Sequence, residues 1–428
     1  MKNKERIYIE NFAGISKLDL EINDINILIG PQGVGKSVVV KLLYFFKDTF
    51  NEIQRHARWY LDTTSGYFEF SLRNRFTSIF ADSVWHENNP FEVRYINKQG
   101  LKFVISGSGK SDFIISYPNE IKVLIEELSA IRKNFGDLNI DINNVQEYLS
   151  KNNDFNRVAR EIITTNYGDL TPQVFIPAGR SFFSAIHENI YSILSGHENN
   201  VTLDPFLLDF GSLYQRSKSL STKLNEGFDN SCKTIIEDVL GGEFLVDEND
   251  KEYIVHKDSR KVELKHTSSG QQEALPLILI LKGILNKQMY TGGCVLYIEE
   301  PEAHLFPTAQ KLIVDLLAKV YNSNPGNIQI FITTHSPYIL TSFNNLIYAG
   351  NISKSNGIKR DKVLKLVPED QLLSYNIVNA NAITRKENYN LMKEEGGIID
   401  ATLLDKVSNT IGEAFDQLLD IEFEEDGM

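Results

Sequence analysis

A phosphate-cradling loop, a pair of adjacent carboxylates, a histidine and a Ser-Gly turn are spaced along this chain as the parts of one phosphoryl-transfer site. The run Gly30, Pro31, Gln32, Gly33, Val34, Gly35, Lys36, Ser37 fits the GxxxxGK[ST] pattern in full. Its glycines let backbone N–H groups close around phosphates, Lys36 supplies a cation for the β- and γ-phosphates, and the Ser37 hydroxyl is a Mg²⁺ ligand. The apolar run Cys294 to Ile298 ends in Glu299 and Glu300, the way a buried parallel strand delivers acids to the carboxyl edge of its sheet. Glu299 is expected to hold Mg²⁺ through water, and Glu300 to orient and deprotonate the attacking water. His335, in Thr333-Thr-His-Ser336, follows a second apolar run, Ile328 to Ile332, and so reaches the same edge, within reach of a γ-phosphate. Ser268, Ser269, Gly270 and Gln271 open the apolar segment Ala274 to Ile280; at a helix N-terminus their hydroxyls and N–H groups form a second phosphate reader. Paired acids or a lone histidine after a strand are ordinarily structural, and it is the joint presence of the four pieces that predicts ATP and Mg²⁺ as ligands.

These side chains need elements to hold them. The phosphate loop requires a strand before it and a helix after it, and Ile25 to Ile29 and Val38 to Phe46 supply both. A second glycine-lysine string, Ser106-Gly-Ser-Gly-Lys-Ser111, lacks the first glycine and runs into a β-rich segment, so it reads as a hairpin turn. Phe68 to Leu72, Phe91 to Ile105 and Phe113 to Tyr117 predict an antiparallel layer. Ile121, Leu124, Ile125, Leu128 and Ile131 mark one face of a helix, the first of a helical region that runs to about Tyr167 and resumes from Leu207 to Leu240. Glu243 to Val246 and Tyr253 to Val255 read as a hairpin leading into the Ser-Gly turn, and Leu404, Val407, Ile411, Phe415 and Leu418 as a final amphipathic helix before an acidic, solvated tail. The apolar run Leu275 to Leu281 is too short to span a bilayer and predicts a buried helix.

Composition sets the bounds. With 428 residues, 42% hydrophobic and 24% charged, the chain is long and apolar enough for a substantial folded core. Its two cysteines, Cys232 and Cys294, and an N-terminus without an apolar stretch predict a reduced, cytoplasmic setting. A formal charge of −13 argues against nucleic-acid binding as the overall character of the surface and leaves it to a local basic face.

The order of phosphate loop, long insertion, Ser-Gly-Gln signature, acid-ended strand and histidine resembles the ATPase head shared by ABC, SMC and RecF-type proteins. Ile7-Tyr-Ile-Glu-Asn-Phe12 and Leu18-Asp-Leu-Glu-Ile22 are similar to that group's N-terminal strands. Within it, Ile298-Glu-Glu-Pro-Glu-Ala-His-Leu305, Phe175-Ile-Pro-Ala-Gly-Arg-Ser181, Asp405-Lys-Val-Ser408 and Phe415-Asp-Gln-Leu-Leu419 resemble the OLD-related ATPases of bacterial defence systems, and most nearly the ATPase subunit of PARIS-type anti-phage systems. The resemblance implies an α/β fold: an ABC-type head with a mixed and parallel sheet, an antiparallel β layer and an inserted helical subdomain. The expected division is 1–118 for the first part of the head, 119–240 for the helical insertion with a returning strand near 173–181, 241–350 for the second part of the head, and 351–428 for a mixed segment and helix. In such heads Lys36 and Ser37 would bind phosphate and Mg²⁺, Ser268 to Gln271 would form the signature, Glu299 and Glu300 the Walker B acids, and His335 the switch.

The sequence departs from that pattern in two places. Glu299 stands where an Asp is usual, and the Gln loop is not evident; Ala178-Gly179-Arg180 lies about where it belongs. Arg180 is therefore the candidate for a charge-sensing residue near the phosphates, against the plainer reading of a surface ion-pair residue. The resemblance further implies ATP-dependent association of heads into a homo-oligomer, because one subunit's signature covers the nucleotide of another. It implies no nuclease chemistry in this chain, since the Toprim domain of the OLD nucleases is not evident. A separate effector protein, with a Toprim-type nuclease one candidate, would then be under its control. A RecF-like DNA-repair ATPase that clamps DNA is the alternative, and a transporter's ATPase subunit is disfavoured by the long insertion between Ser37 and Ser268.

Overall fold

Predominantly apolar strands are stable only when both faces are covered, and the computed structural model builds the molecule around three of them. It describes residues 4–59, 65–80, 84–85, 89–135, 145–168, 170–186, 204–222, 230–248, 251–354, 357–385, 388–400 and 417–418. In chain order the strands are β1 (Arg6–Phe12), β2 (Ile15–Glu21), β3 (Ile25–Ile29), β4 (Phe91–Ile96), β5 (Lys102–Gly107), β6 (Phe113–Ser116), β7 (Gln173–Ile176), β8 (Gly242–Val246), β9 (Glu252–His256), β10 (Lys261–Glu263), β11 (Cys294–Glu299), β12 (Ile328–Thr334), β13 (Val378–Ile383) and β14 (Asn388–Asn390). The helices are α1 (Lys36–Lys47), α2 (Thr49–Trp59), α3 (Ser65–Ile79), α4 (Asn119–Asn134), α5 (Val145–Asn166), α6 (Ser181–Ile186), α7 (Pro205–Thr222), α8 (Asn230–Leu240), α9 (Ser269–Leu285), α10 (Pro307–Ser323), α11 (Pro337–Ser353) and α12 (Ile358–Leu364).

The result is a mixed α/β fold. Its central sheet runs β14-β13-β3-β12-β11-β7 and is parallel apart from the antiparallel β14 edge. An antiparallel sheet in the order β2-β1-β4-β5-β6, a smaller one in the order β10-β9-β8 and a two-stranded antiparallel pair, Met392–Lys393 with Ile398–Ile399, complete it among the described residues. The apolar strands divide their side chains by the two-residue period of a pleat. Ile25, Ile27 and Ile29, with Leu296, Ile298, Ile330 and Ile332, enter one buried cluster with α9, α10 and α11. Leu28, Tyr297 and Phe331 enter the other, shared with α1 and the antiparallel sheet. The rings of Tyr297 and Phe331 stack with centroids 5.1 Å apart. Truncating one such side chain to alanine costs about 2–5 kcal/mol, so the strand ends that carry the site are held by packing from both sides.

One expectation is corrected. Phe68 to Leu72 is helical, part of α3: Phe68, Leu72 and Phe76 are buried at i, i+4 and i+8, whereas Phe70, which a strand would pair with Phe68 on one face, is 62% exposed. Within the 351–428 segment, β13 pairs in parallel with β3 inside the central sheet. Its Val378-Asn-Ala-Asn-Ala-Ile383 sequence has weak β propensity, and its strand character comes from the pairing. Ser106 to Ser111 lies at the β5–β6 hairpin, where Ser108 Oγ donates to Asp112 at 2.6 Å. The expected C-terminal helix lies outside the described residues except at 417–418. Among the described residues no helix is long and apolar enough to cross a membrane.

Candidate active site

Parallel strands end together at one edge, and here the register is nearly flush: Ile29 faces Thr334 across β3 and β12, and Thr333 faces Glu299 across β12 and β11. The phosphate loop, the paired acids and His335 therefore leave three neighbouring strands at the same level. Gly30 is required by close approach, since a Cβ there would lie 2.0 Å from the carbonyl oxygen of Ile383 at the end of β13. Gly33 and Gly35 have φ of 72° and 95°, which side chains disfavour. Helix α1 then begins at Lys36, so its unpaired first-turn N–H groups face the concave side of the loop.

Lys36 is buried, and its ammonium donates to the carbonyl oxygens of Gly30 at 2.7 Å and Pro31 at 2.8 Å. The His335 ring stands 3.2–3.4 Å from the same ammonium, and its Nε2 is 3.2 Å from Glu300 Oε1. Both contacts are satisfied if Nδ1 accepts from Lys36 and Nε2–H donates to Glu300, a tautomer assigned from the network. Burial lowers the Lys36 pKa to about 8, against the opposing pull of Glu300 and Glu302. Glu302, which sequence reasoning did not single out, fixes the histidine: its Oε1 accepts from Thr334 Oγ1 and from the His335 backbone N–H, both at 2.7 Å. Its position two residues after Glu300, on the same acid-rich turn, was the available signal.

Glu299 is buried, and burial raises its carboxyl pKa; a hydrogen bond with Ser37, the charge of Lys41 and the Ala178 backbone oppose the rise. Its Oε1 has no hydrogen-bond partner. An unpaired buried carboxylate oxygen beside a serine hydroxyl suits Mg²⁺, a hard cation that takes few protein oxygens and fills its shell with phosphate and water. Among the described residues no group of three or more His, Cys, Asp or Glu side chains is arranged to hold a metal ion by itself. Glu300 has φ of 44°, a left-handed conformation that costs a non-glycine residue about 1–3 kcal/mol. Backbone bonds hold it there: its N–H donates to Thr333 O at 2.8 Å, and its carbonyl accepts from Ala303 at 3.0 Å.

The Ser268 to Gln271 turn opens α9 as the sequence pattern requires, with Ser268 as N-cap in a capping box with Gln271. Ser268 and Ser269 are exposed. The Gln271 side chain braces the turn: its Oε1 accepts from the Ser268 N–H at 3.1 Å and its Nε2 donates to Leu240 O at 2.5 Å. Among the described residues no hydrogen bond joins this turn to the phosphate loop of the same chain. For Arg180 the surface reading is corrected. It is fully buried, so it is not a surface ion-pair residue. Its Nη1 donates to Pro177 O at 3.0 Å and Glu299 O at 2.7 Å, its Nη2 to Glu300 O at 3.0 Å, and its Nε to Glu273 O at 3.0 Å. Burial lowers its pKa, opposed by the Glu273, Glu302, Glu300 and Glu299 carboxylates.

Fold and strand-edge loops together define the class, a P-loop nucleotide-binding ATPase of mixed α/β architecture. The chain belongs to the AAA ATPase domain family, whose profile matches residues 4–202 and 209–340. No curated protein sequence matches it. Among solved structures it is similar to an SMC head domain from Thermotoga maritima, at 13% identity and TM-score 0.35 over 80% of this chain and 92% of that one. It is also similar to an SMC head bound to the C-winged helix domain of ScpA, at 12% identity and TM-score 0.38 over 79% and 91%. A third is an Smc head with an extended coiled coil, bound to the C-terminal domain of ScpA derived from Pyrococcus furiosus, at 12% identity and TM-score 0.37 over 97% and 100%. These superpositions are loose, and the family assignment stands on the sequence match.

Proposed function

We propose that this chain hydrolyses ATP at a site completed by a second copy, and that the resulting assembly cycle controls a separate effector in anti-phage defence, in the manner of the OLD-related and PARIS-type ATPases. One observation carries the shared site: the Ser268-Ser269 turn, a helix N-terminus suited to phosphate, is exposed, and among the described residues no hydrogen bond joins it to the phosphate loop of its own chain. In this reading the loop N–H groups and Lys36 hold the phosphates, and Ser37 and Glu299 hold Mg²⁺, which supplies charge neutralisation at the phosphate oxygens when bound. Glu300 takes the proton of a water that attacks the γ-phosphorus as the bond to the β-bridging oxygen breaks, and Glu302 keeps His335 aimed at the same point. ATP then acts as a bridge between two heads, and hydrolysis removes it.

The defence role rests on the motif resemblance and the family, and its test is a partner. Affinity purification from the native host with ATP and Mg²⁺ should yield this chain with a second, smaller protein, released when nucleotide is omitted. Retention of DNA that falls steeply with salt would support the DNA-clamping alternative, and a co-eluting membrane protein the transporter reading.

A further inference from the structure

Glu273 sits one turn into α9, the helix that the Ser268-Ser269 turn begins, and Glu299 and Glu300 sit at the end of β11; Arg180 joins them. The Glu273 carboxylate accepts from the backbone N–H of Arg180 and of Ser181, each at 3.1 Å, and Arg180 Nε lies 3.4 Å from Glu273 Oε2. The guanidinium then reaches the main-chain carbonyls of both acids. A second contact joins the same two parts: a Cβ on Gly270 would come within 2.6 Å of His304 O, in the turn that follows the acids. His304 is itself left-handed, with φ of 58°. A buried charged pair of this kind costs desolvation and is weak evidence for stability; a planar fork fixed to two adjacent carbonyls transmits orientation.

We propose that Arg180 and Glu273 are positioning residues that couple the signature turn to the catalytic acids of the same chain, so that engagement of a chain's signature with its partner's nucleotide sets Glu300 for hydrolysis at that chain's own nucleotide. The two sites of a head pair are thereby linked. This rests on the shared-site reading above. Movement of α9 pulls on Glu273, the guanidinium follows, and the strained backbone at Glu300 is the element whose two settings it biases.

The test uses Arg180→Lys, which keeps the charge and loses the fork, and Glu273→Gln, which keeps the shape and loses one acceptor. Each is assayed for ATP affinity by calorimetry, for turnover against ATP concentration, and for melting temperature. The wild type should show a Hill coefficient above about 1, and both variants should keep ATP affinity, lose about 10- to 100-fold in kcat and fall to a Hill coefficient of about 1. Wild-type kcat and cooperativity in the variants would overturn the coupling, as would loss of ATP binding together with folding in both, which would make the pair a structural brace only. If Glu300→Gln protein associates with ATP while the variants behave as wild type, the coupling alone fails. If Glu300→Gln protein stays monomeric with ATP, the shared site fails and the coupling with it.

Discussion

Replacing Lys36 with alanine removes ATP binding. The ammonium is the loop's sole side-chain cation, and it already stands among the oxygens of its own turn, where incoming phosphates would take over from carbonyls. Charge-assisted hydrogen bonds are each worth about 1.5–3 kcal/mol, so losing those to two phosphates weakens Kd by about 100-fold or more. Calorimetric titration reads this directly, and unchanged affinity would remove the loop from the site. A pH effect follows from the same group. Burial holds the free Lys36 pKa at about 8, and phosphate favours its charged form, so ATP binding takes up a proton above that pH. Affinity should therefore fall by up to about tenfold for each pH unit above 8, a component of the dependence that Lys36→Ala abolishes.

Replacing Glu300 with glutamine keeps ATP binding and removes most turnover. The side chain keeps its shape and its contact distance to His335 but no longer accepts a proton, and general-base catalysis is worth about 10²–10⁴ in rate. Single-turnover hydrolysis measures the loss. Because the step that separates the heads is blocked, the ATP-bound assembly should accumulate. Hydrolysis at the wild-type rate would move the base to another group at the same edge, Glu299 or His335.

The central strands and their loops were legible because largely apolar, buried runs such as Ile25 to Ile29 and Ile328 to Ile332 are flanked by residues with demanding chemistry. Local pattern failed where tertiary pairing decides. Phe68, Phe70 and Leu72 satisfy a two-residue period, and only burial of Phe76 with Phe68 and Leu72 makes the helix the better solution. β13 carries asparagine and alanine where a strand former is expected, and the backbone of β3 holds it in place. Arg180 was visible as a charge near the site, but its partner Glu273 lies 93 residues away, a distance that no motif spans. The motif reading of Gln271 did not show that its side chain also closes a capping box with the N-cap Ser268, three residues before it.

The shared site is tested most directly by the mass of Glu300→Gln protein in solution with ATP and Mg²⁺, measured by light scattering during size-exclusion chromatography, with and without a second substitution, Ser268→Arg. A bulky cation at the exposed N-cap should leave ATP binding at the phosphate loop intact and block engagement by the signature. The account predicts that Glu300→Gln runs at twice the monomer mass with ATP, and that the double variant binds ATP and stays monomeric. A double variant that associates as well as its parent, or a Glu300→Gln protein that remains monomeric with ATP bound, would contradict it.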